Sequence, residues 1–169
     1  MEKIDHVVVP GTFDPVTNGH LDVIKRTKRL FGKVTVAVAS SRDKNGVGTT
    51  FSLEERVKML QKSLDEAGIE GVSVEPMGGL LVEFCHGRGA GGVVKGLRAM
   101  TDFEYELQQA DLNAHLAPDI ESIFVMSSPA YGYVSSSIVR EIASMGADVS
   151  LLVPPCVDRA LKALHNSQK

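Results

Sequence analysis

"VVVPGTFDPVTNGHLDVIKRTKRLF", residues 7–31, changes character twice. Val7-Val8-Val9 is aliphatic with no polar alternation, the pattern of a strand buried on both faces. Pro10 to Asn18 is dense in Gly, Pro, Asn and Asp, residues that let a chain turn sharply. Beyond it Leu21, Ile24 and Phe31 fall on one face at helical spacing. The stretch therefore reads as strand, turn and helix, with a histidine where the helix begins. The turn is either punctuation or a device that holds something against the helix N-terminus.

The same alternation continues along the chain. Residues 4–9, Val34–Ala39, Val72–Glu75, Gly92–Lys95 and Ile123–Met126 read as strands. A first helix covers about 18–31. A second opens on the capping box Ser52-x-x-Glu55 and stops at Gly68. A short third covers 79–87, and a fourth opens on a second box, Thr101-x-x-Glu104, and ends before Pro118. A fifth follows Ser135-Ser136-Ser137 and ends at Gly146, and a sixth follows Pro154-Pro155. Strands alternating with helices imply an α/β fold, a doubly wound Rossmann-like domain with a five-stranded parallel sheet and helices on both faces. No repeat or linker interrupts it, so residues 1–169 are expected to form one domain, the last helix being a candidate appendage.

The 169 residues are 43% hydrophobic and 23% charged, the composition of an ordinary globular chain. The net charge of −3 gives no basic footprint for nucleic acid, so no nucleic-acid partner is expected. Lys25, Arg26, Lys28 and Arg29 read as the solvated face of the first helix. No apolar run approaches the roughly 20 residues of a membrane span, and Glu2, Lys3, Asp5 and His6 do not make a signal-peptide core. The expectation is a cytoplasmic protein with no membrane partner. Cys85 and Cys156 lack C-x-x-C spacing and read as buried small hydrophobes.

In a doubly wound sheet, ligands bind beyond the carboxyl ends of the strands. After the first strand come Thr12 and Asn18-Gly19-His20. Ser40-Ser41-Arg42-Asp43-Lys44 follows the second, and Lys95-Gly96-Leu97-Arg98 and then Asp102 to Glu106 follow the fourth. After the fifth come Ser127-Ser128-Pro129 and Tyr131 to Ser137. Glycine- and serine-rich helix starts with nearby cations suit phosphate, because their backbone N–H groups and helix dipole favour anions. One loop of this kind is ordinary turn and cap chemistry; four loops after four strands converge on anion binding. Gly87-Arg88-Gly89-Ala90-Gly91-Gly92 satisfies G-x-G-x-x-G but follows a helix and leads into a strand. The dinucleotide fingerprint requires the reverse order. The absence of G-x-x-x-x-G-K-[ST], H-E-x-x-H and G-x-S-x-G argues against P-loop kinases, zincins and nucleophile-elbow hydrolases.

"GTFDPVTNGH" (Gly11–His20) resembles the T-x-G-H nucleotidyltransferases. With "KGLR" (Lys95–Arg98), "DFEYE" (Asp102–Glu106) and "YGYVSSS" (Tyr131–Ser137), nearly the whole chain is similar to the bacterial-type phosphopantetheine adenylyltransferases. The resemblance implies adenylyl transfer from ATP to 4'-phosphopantetheine, giving dephospho-CoA and pyrophosphate, with Mg²⁺ on the triphosphate. It also implies a homohexamer with CoA as a feedback ligand.

Carried over by position, the resemblance gives Thr12 contact with both substrates and Phe13 a place lining the ATP site through its backbone. His20 would stabilise the transition state at the ATP phosphates, and Lys44 would hold the attacking phosphate. Leu81 would line the pantetheine channel and Lys95 would bind the acceptor phosphate. Gly96, Leu97, Arg98, Glu106, Tyr131, Gly132, Tyr133, Val134, Ser135, Ser136 and Ser137 would form the nucleotide site. Lys95 stands where many members carry Arg, keeping the charge without the bidentate fork. The loop from Arg42 to Thr50 is longer than usual, and Arg42 replaces a customary proline, so Arg42 competes with Lys44.

The acceptor is already an anion, so attack on the α-phosphorus needs neither a general base nor a protein nucleophile; it needs positioning, cations and N–H donors. A cytidylyltransferase or nicotinate-mononucleotide adenylyltransferase would share the opening motif, and a non-catalytic nucleotide sensor could share the fold. The charge of His20 is open at this level, since a helix N-terminus disfavours the imidazolium and phosphate favours it.

Overall fold

β1 (His6–Gly11) is the central strand of a five-stranded, wholly parallel sheet ordered β3-β2-β1-β4-β5. The computed structural model describes residues 3–40, 48–98 and 100–167, with the side chains of 100–102 set aside. Lys44 and Arg42, the two candidates for the attacking phosphate, lie outside the described residues. The other strands are β2 (Lys33–Ala39), β3 (Val72–Met77), β4 (Gly92–Leu97) and β5 (Glu121–Met126). The helices are α1 (Asn18–Leu30), α2 (Leu53–Glu66), α3 (Leu81–His86), α4 (Met100–Leu116), α5 (Ser136–Ser144) and α6 (Pro155–Ser167), with one 3₁₀ turn at Pro129–Tyr131.

Alternation along β1 divides the core between the two faces. Val7 and Val9 join Val36, Val38 and Val94 under Ile24 of α1, Leu60 and Leu64 of α2, Val139 of α5 and Leu161 of α6. Val8, Ala37 and Val93 face Val82, Phe84 and Cys85 of α3, with Ala117 and Ile120. Each fully buried valine contributes roughly 1.5–3 kcal/mol of apolar burial. α6 is thus part of the same core as α1, α2 and α5. Both cysteines are buried and free. Burial pushes the Cys85 thiol up to about 11 and raises that of Cys156.

From β1 the chain winds outward to β3, then crosses to lay β4 against the other side of β1. The switch in strand order therefore lies between β1 and β4. Their pairing is brief, Val7↔Gly92 and Val8↔Val93. His6 O accepts from Gly91 N on the β4 side and Asp5 O from Lys33 N on the β2 side. The alternation therefore turns Pro10 toward β4, two residues past the last β1–β4 pair. A proline that cannot donate is tolerated there because the strands have already parted. That parting opens the crevice where ligands of such sheets bind.

Some boundaries differ from the sequence expectation. β1 starts at His6 and continues through Pro10 to Gly11, and β3 and β4 run two residues farther than expected. The Ser52–Glu55 box forms, with Ser52 N donating to Glu55 Oε2 at 2.7 Å and Glu55 N to Ser52 Oγ at 3.2 Å. The Thr101–Glu104 box does not open α4, because the helix already begins at Met100 and Thr101 lies inside it. The basic face of α1 is only partly solvated, since Arg26 reaches Met126 O and lies 3.6 Å from Asp22, and Lys28 caps Gly32 O at 2.6 Å. The segment from Gly87 to Gly92 is the α3-to-β4 turn, with Gly89 at φ 63°. No helix among the described residues is long and apolar enough to cross a membrane.

Candidate active site

The loop between β1 and α1 is built around Phe13, a non-glycine residue at φ 50°, where side chains are rarely found. Its ring is buried and meets the His20 imidazole edge-on, centroids 5.0 Å apart. A Cβ on Gly11 would sit 2.9 Å from the Phe13 ring, so the glycine makes room for this fold-back. Asp14 turns inward as well. Its carboxylate accepts from Thr50 N at 2.8 Å and Phe51 N at 2.9 Å and lies 3.8 Å from Arg140, so it ties the loop to the start of α2.

His20 occupies the third position of α1, where a capping box normally has Glu or Gln. Thr17 Oγ1 accepts from His20 N at 3.3 Å, and Thr17 N donates to His20 Nδ1 at 3.0 Å. An Nδ1 that accepts a backbone N–H carries no proton, so the neutral ring holds its proton on Nε2. Burial, followed by the positive charge of Arg98, depresses the imidazole from 6.5 to about 4. At neutral pH the free protein therefore presents a neutral, oriented Nε2–H donor.

Other predicted residues converge on the same side of the sheet. Arg98 is exposed and donates from Nη1 to Val134 O at 2.7 Å, joining the β4 and β5 loops. Gly96 lies against α1, where an added Cβ would meet Val23 at 2.8 Å, and one on Gly19 would meet Tyr131 at 3.4 Å. At the start of α5, Ser135 Oγ caps Ile138 N at 3.2 Å and Ser136 Oγ donates to Pro15 O at 2.8 Å. All three serine hydroxyls are engaged in the turn, Ser137 Oγ lying 3.2 Å from Ser135 Oγ, while Ser137, Gly132 and Tyr133 remain exposed. Leu97 and Val134 are buried, so their backbone is what they offer a ligand.

Leu81 and Lys95 stand on the other face. Lys95 follows Val93 in alternation and pairs with Glu106 of α4 at 2.6 Å, and Leu81 packs against the core under α3. The residues proposed for the acceptor and most of those proposed for the nucleotide thus approach the crevice from opposite sides of the sheet. Glu106 is the exception, a candidate for the nucleotide that sits with the acceptor group. Thr12 is exposed at the crevice between them.

Sequence reading missed Thr17, Asp14, Arg140 and Arg56. The T-x-x-H box went unseen because its third position is not Glu or Gln. Arg56 had a legible signal, being a charged residue on the apolar stripe Leu53, Val57, Leu60 and Leu64. It is buried and donates to Phe51 O at 3.1 Å, Thr12 O at 2.6 Å and Ala39 O at 2.8 Å. Burial lowers its pKa and the Asp14 charge opposes this; an arginine guanidinium stays charged in such a setting. No group of three or more His, Cys, Asp or Glu side chains among the described residues could hold a metal ion.

Residues 8–142 match the cytidylyltransferase-like family. A phosphopantetheine adenylyltransferase from Nitrosomonas eutropha is 50% identical over 94% of this chain and 94% of its own. Another, from Geotalea daltonii, is 44% identical over 94% and 96%. Among solved structures, a bifunctional NMN adenylyltransferase/ADP ribose pyrophosphatase from Francisella tularensis superposes with a TM-score of 0.69 at 18% identity. The match covers 97% of this chain and 50% of that one, so the chain spans about half the length of that protein, and the likeness concerns the fold alone. The matched span, the identities and the crevice between β1 and β4 agree: the chain belongs to the cytidylyltransferase-like family and, within it, to the phosphopantetheine adenylyltransferases.

Proposed function

We propose that this chain transfers the adenylyl group of ATP to the phosphate of 4'-phosphopantetheine, forming dephospho-CoA and pyrophosphate in coenzyme A biosynthesis. The observation that carries the reading is the neutral His20, held through Nδ1 by Thr17 at the start of α1 and within electrostatic reach of Arg98. An acceptor phosphate oxygen forms a bond to the α-phosphorus as the bond to the bridging oxygen of the leaving pyrophosphate breaks. No proton needs to leave the acceptor. His20 donates a hydrogen bond to a non-bridging α-phosphate oxygen, most strongly as charge redistributes in the transition state. Arg98, the exposed Ser137 and the backbone from Tyr131 to Ser136 hold the nucleotide, with Thr12, Phe13, Gly96 and Leu97 closing its side.

Leu81 and Lys95 receive the acceptor, and Lys44 or Arg42 adds charge on that side. An acceptor phosphate at Lys95 shares the ammonium with Glu106, which the ion pair already brings within 2.6 Å. Mg²⁺ enters this reading as a companion of the triphosphate, where it would neutralise the leaving pyrophosphate. The proposed setting is the cytoplasm, with CoA competing in the same pocket. The proposed assembly is a homohexamer, supported by the exposed apolar residues Phe103, Leu107, Leu112 and Leu116 along α4.

Pyrophosphate release tests the reading. It is expected only with ATP and 4'-phosphopantetheine together, and not when nicotinate mononucleotide replaces the acceptor or CTP the donor. Tight ATP binding with no pyrophosphate released would instead identify a nucleotide sensor.

A further inference from the structure

Arg56 is a buried cation whose three hydrogen bonds end on main-chain carbonyls from separate segments. Thr12 follows β1, Ala39 ends β2, and Phe51 precedes α2. Asp14 takes the amides of Thr50 and Phe51, while Arg56 takes the Phe51 carbonyl, so the two charges grip this turn from both sides. An apolar residue on the Leu53–Leu60 stripe would fill the space without burying a charge. What the guanidinium adds is a fixed direction for the carbonyls of Thr12 and Ala39, at the carboxyl ends of β1 and β2. Either peptide, if it turned over, would place a partial negative charge toward an incoming phosphate.

We propose that Arg56 is a positioning residue for nucleotide binding: it holds the Thr12 and Ala39 carbonyls away from the anion site and makes the loops after β1 and β2 one unit. The inference rests on the crevice being an ATP site, but not on the identity of the acceptor. Lysine retains the charge but concentrates its donors on one nitrogen and lacks the planar fork, so it cannot span the carbonyls as arginine does. Misplacement of a positioned group by about 1 Å is enough to reduce turnover by about 10²-fold.

The test compares Arg56→Lys with Leu60→Val, a buried change on the same helix that removes no hydrogen bond to either loop. Melting temperature, ATP affinity by calorimetry and, with 4'-phosphopantetheine, kcat and KM are measured for each. Arg56→Lys is expected to weaken ATP at least about 10-fold and lower kcat about 10- to 10²-fold. Leu60→Val is expected to lower the melting temperature while both values stay within about 2-fold of the unaltered protein, its ΔΔG falling in the lower range of core truncations. Equal losses of ATP affinity in the two variants at matched melting temperature, or none in Arg56→Lys, would overturn the proposal. If the unaltered protein released no pyrophosphate, the functional reading would fail while the ATP titrations still decided the role of Arg56. Amide exchange on the unaltered chain covers an Arg56→Lys that does not fold or a protein that does not bind ATP. Residues 11–14 and 39–40 are expected to open together, and independent opening would refute the tie.

Discussion

Removing the imidazole of His20 removes a helix cap and the proposed phosphate donor together, and two substitutions separate these losses. His20→Ala is expected to lower turnover by about 10²- to 10³-fold, as loss of an oxyanion donor does. It should also cost about 0.5–2 kcal/mol in melting experiments through the broken Thr17–His20 box. Gln is the usual residue at this position of a capping box, so His20→Gln should recover most of the stability. Turnover should stay low, because the amide N–H₂ lies beside its oxygen rather than across a ring from it. Recovery of turnover with Gln would remove the need for an oriented Nε2–H.

The depressed pKa has a second consequence at this scale. Above pH 6.5 His20 is neutral in folded and unfolded chains alike, and its contribution to stability is complete. Below 6.5 the unfolded chain takes up the proton first, so stability falls until about pH 4, where the folded chain protonates as well. Histidine NMR should show a neutral Nε2–H ring in the ligand-free protein at pH 6, and an imidazolium there would refute the assignment.

At the scale of elements, the site depends on how closely α1 approaches the sheet. α1 buries Leu21, Val23 and Ile24, and its N-terminus is pinned by Asn18, whose N donates to Leu152 O at 2.9 Å and whose side chain donates to Leu151 O at 3.1 Å. Val23 packs where Gly96 leaves space on β4, a spacing that no larger residue preserves. Gly96→Ala is expected to destabilise by about 1–3 kcal/mol through overpacking. By moving α1 it should also lower turnover more than its melting temperature predicts, with His20 carried away from Arg98. Enzyme kinetics at matched folded fraction would check this; an effect on stability alone would mean that α1 does not set the reacting geometry.

At the scale of the whole molecule, the amino ends of three strands are joined by a polar chain that runs from the buried His6 and Thr35 to the exposed Ser73. His6 Nδ1 donates to Arg88 O at 3.1 Å, so its neutral Nε2 accepts from Thr35 Oγ1 at 2.9 Å, and Thr35 in turn accepts from Ser73 at 2.9 Å. Thr35→Val leaves the imidazole without its donor and should cost about 1–3 kcal/mol by denaturant melts. Burial, then Lys33, lowers the His6 pKa, so acid weakens this end of the sheet in the same direction as it weakens the His20 cap. The opposite edge bears on assembly. Leu112 is 57% exposed on α4, and Leu112→Glu should reduce the particle mass by light scattering if that face joins the copies. An unchanged particle mass would assign any contact between copies elsewhere. Much of this was legible locally, because the valine runs, the Ser52–Glu55 box and the glycine-rich turn depend on near neighbours in the chain. The motifs in the four loops likewise named the side chains that could meet phosphate. The sequence by itself thus determined the order of strands and helices and the residue types at the crevice. Only the tertiary structure decided the tautomer of His20, the pairing of Lys95 with Glu106 and the grip of Arg56 on two distant loops. Each of these depends on burial and on hydrogen-bond direction between groups that the fold alone brings together, or, for Thr17 and His20, that only a formed helix orients.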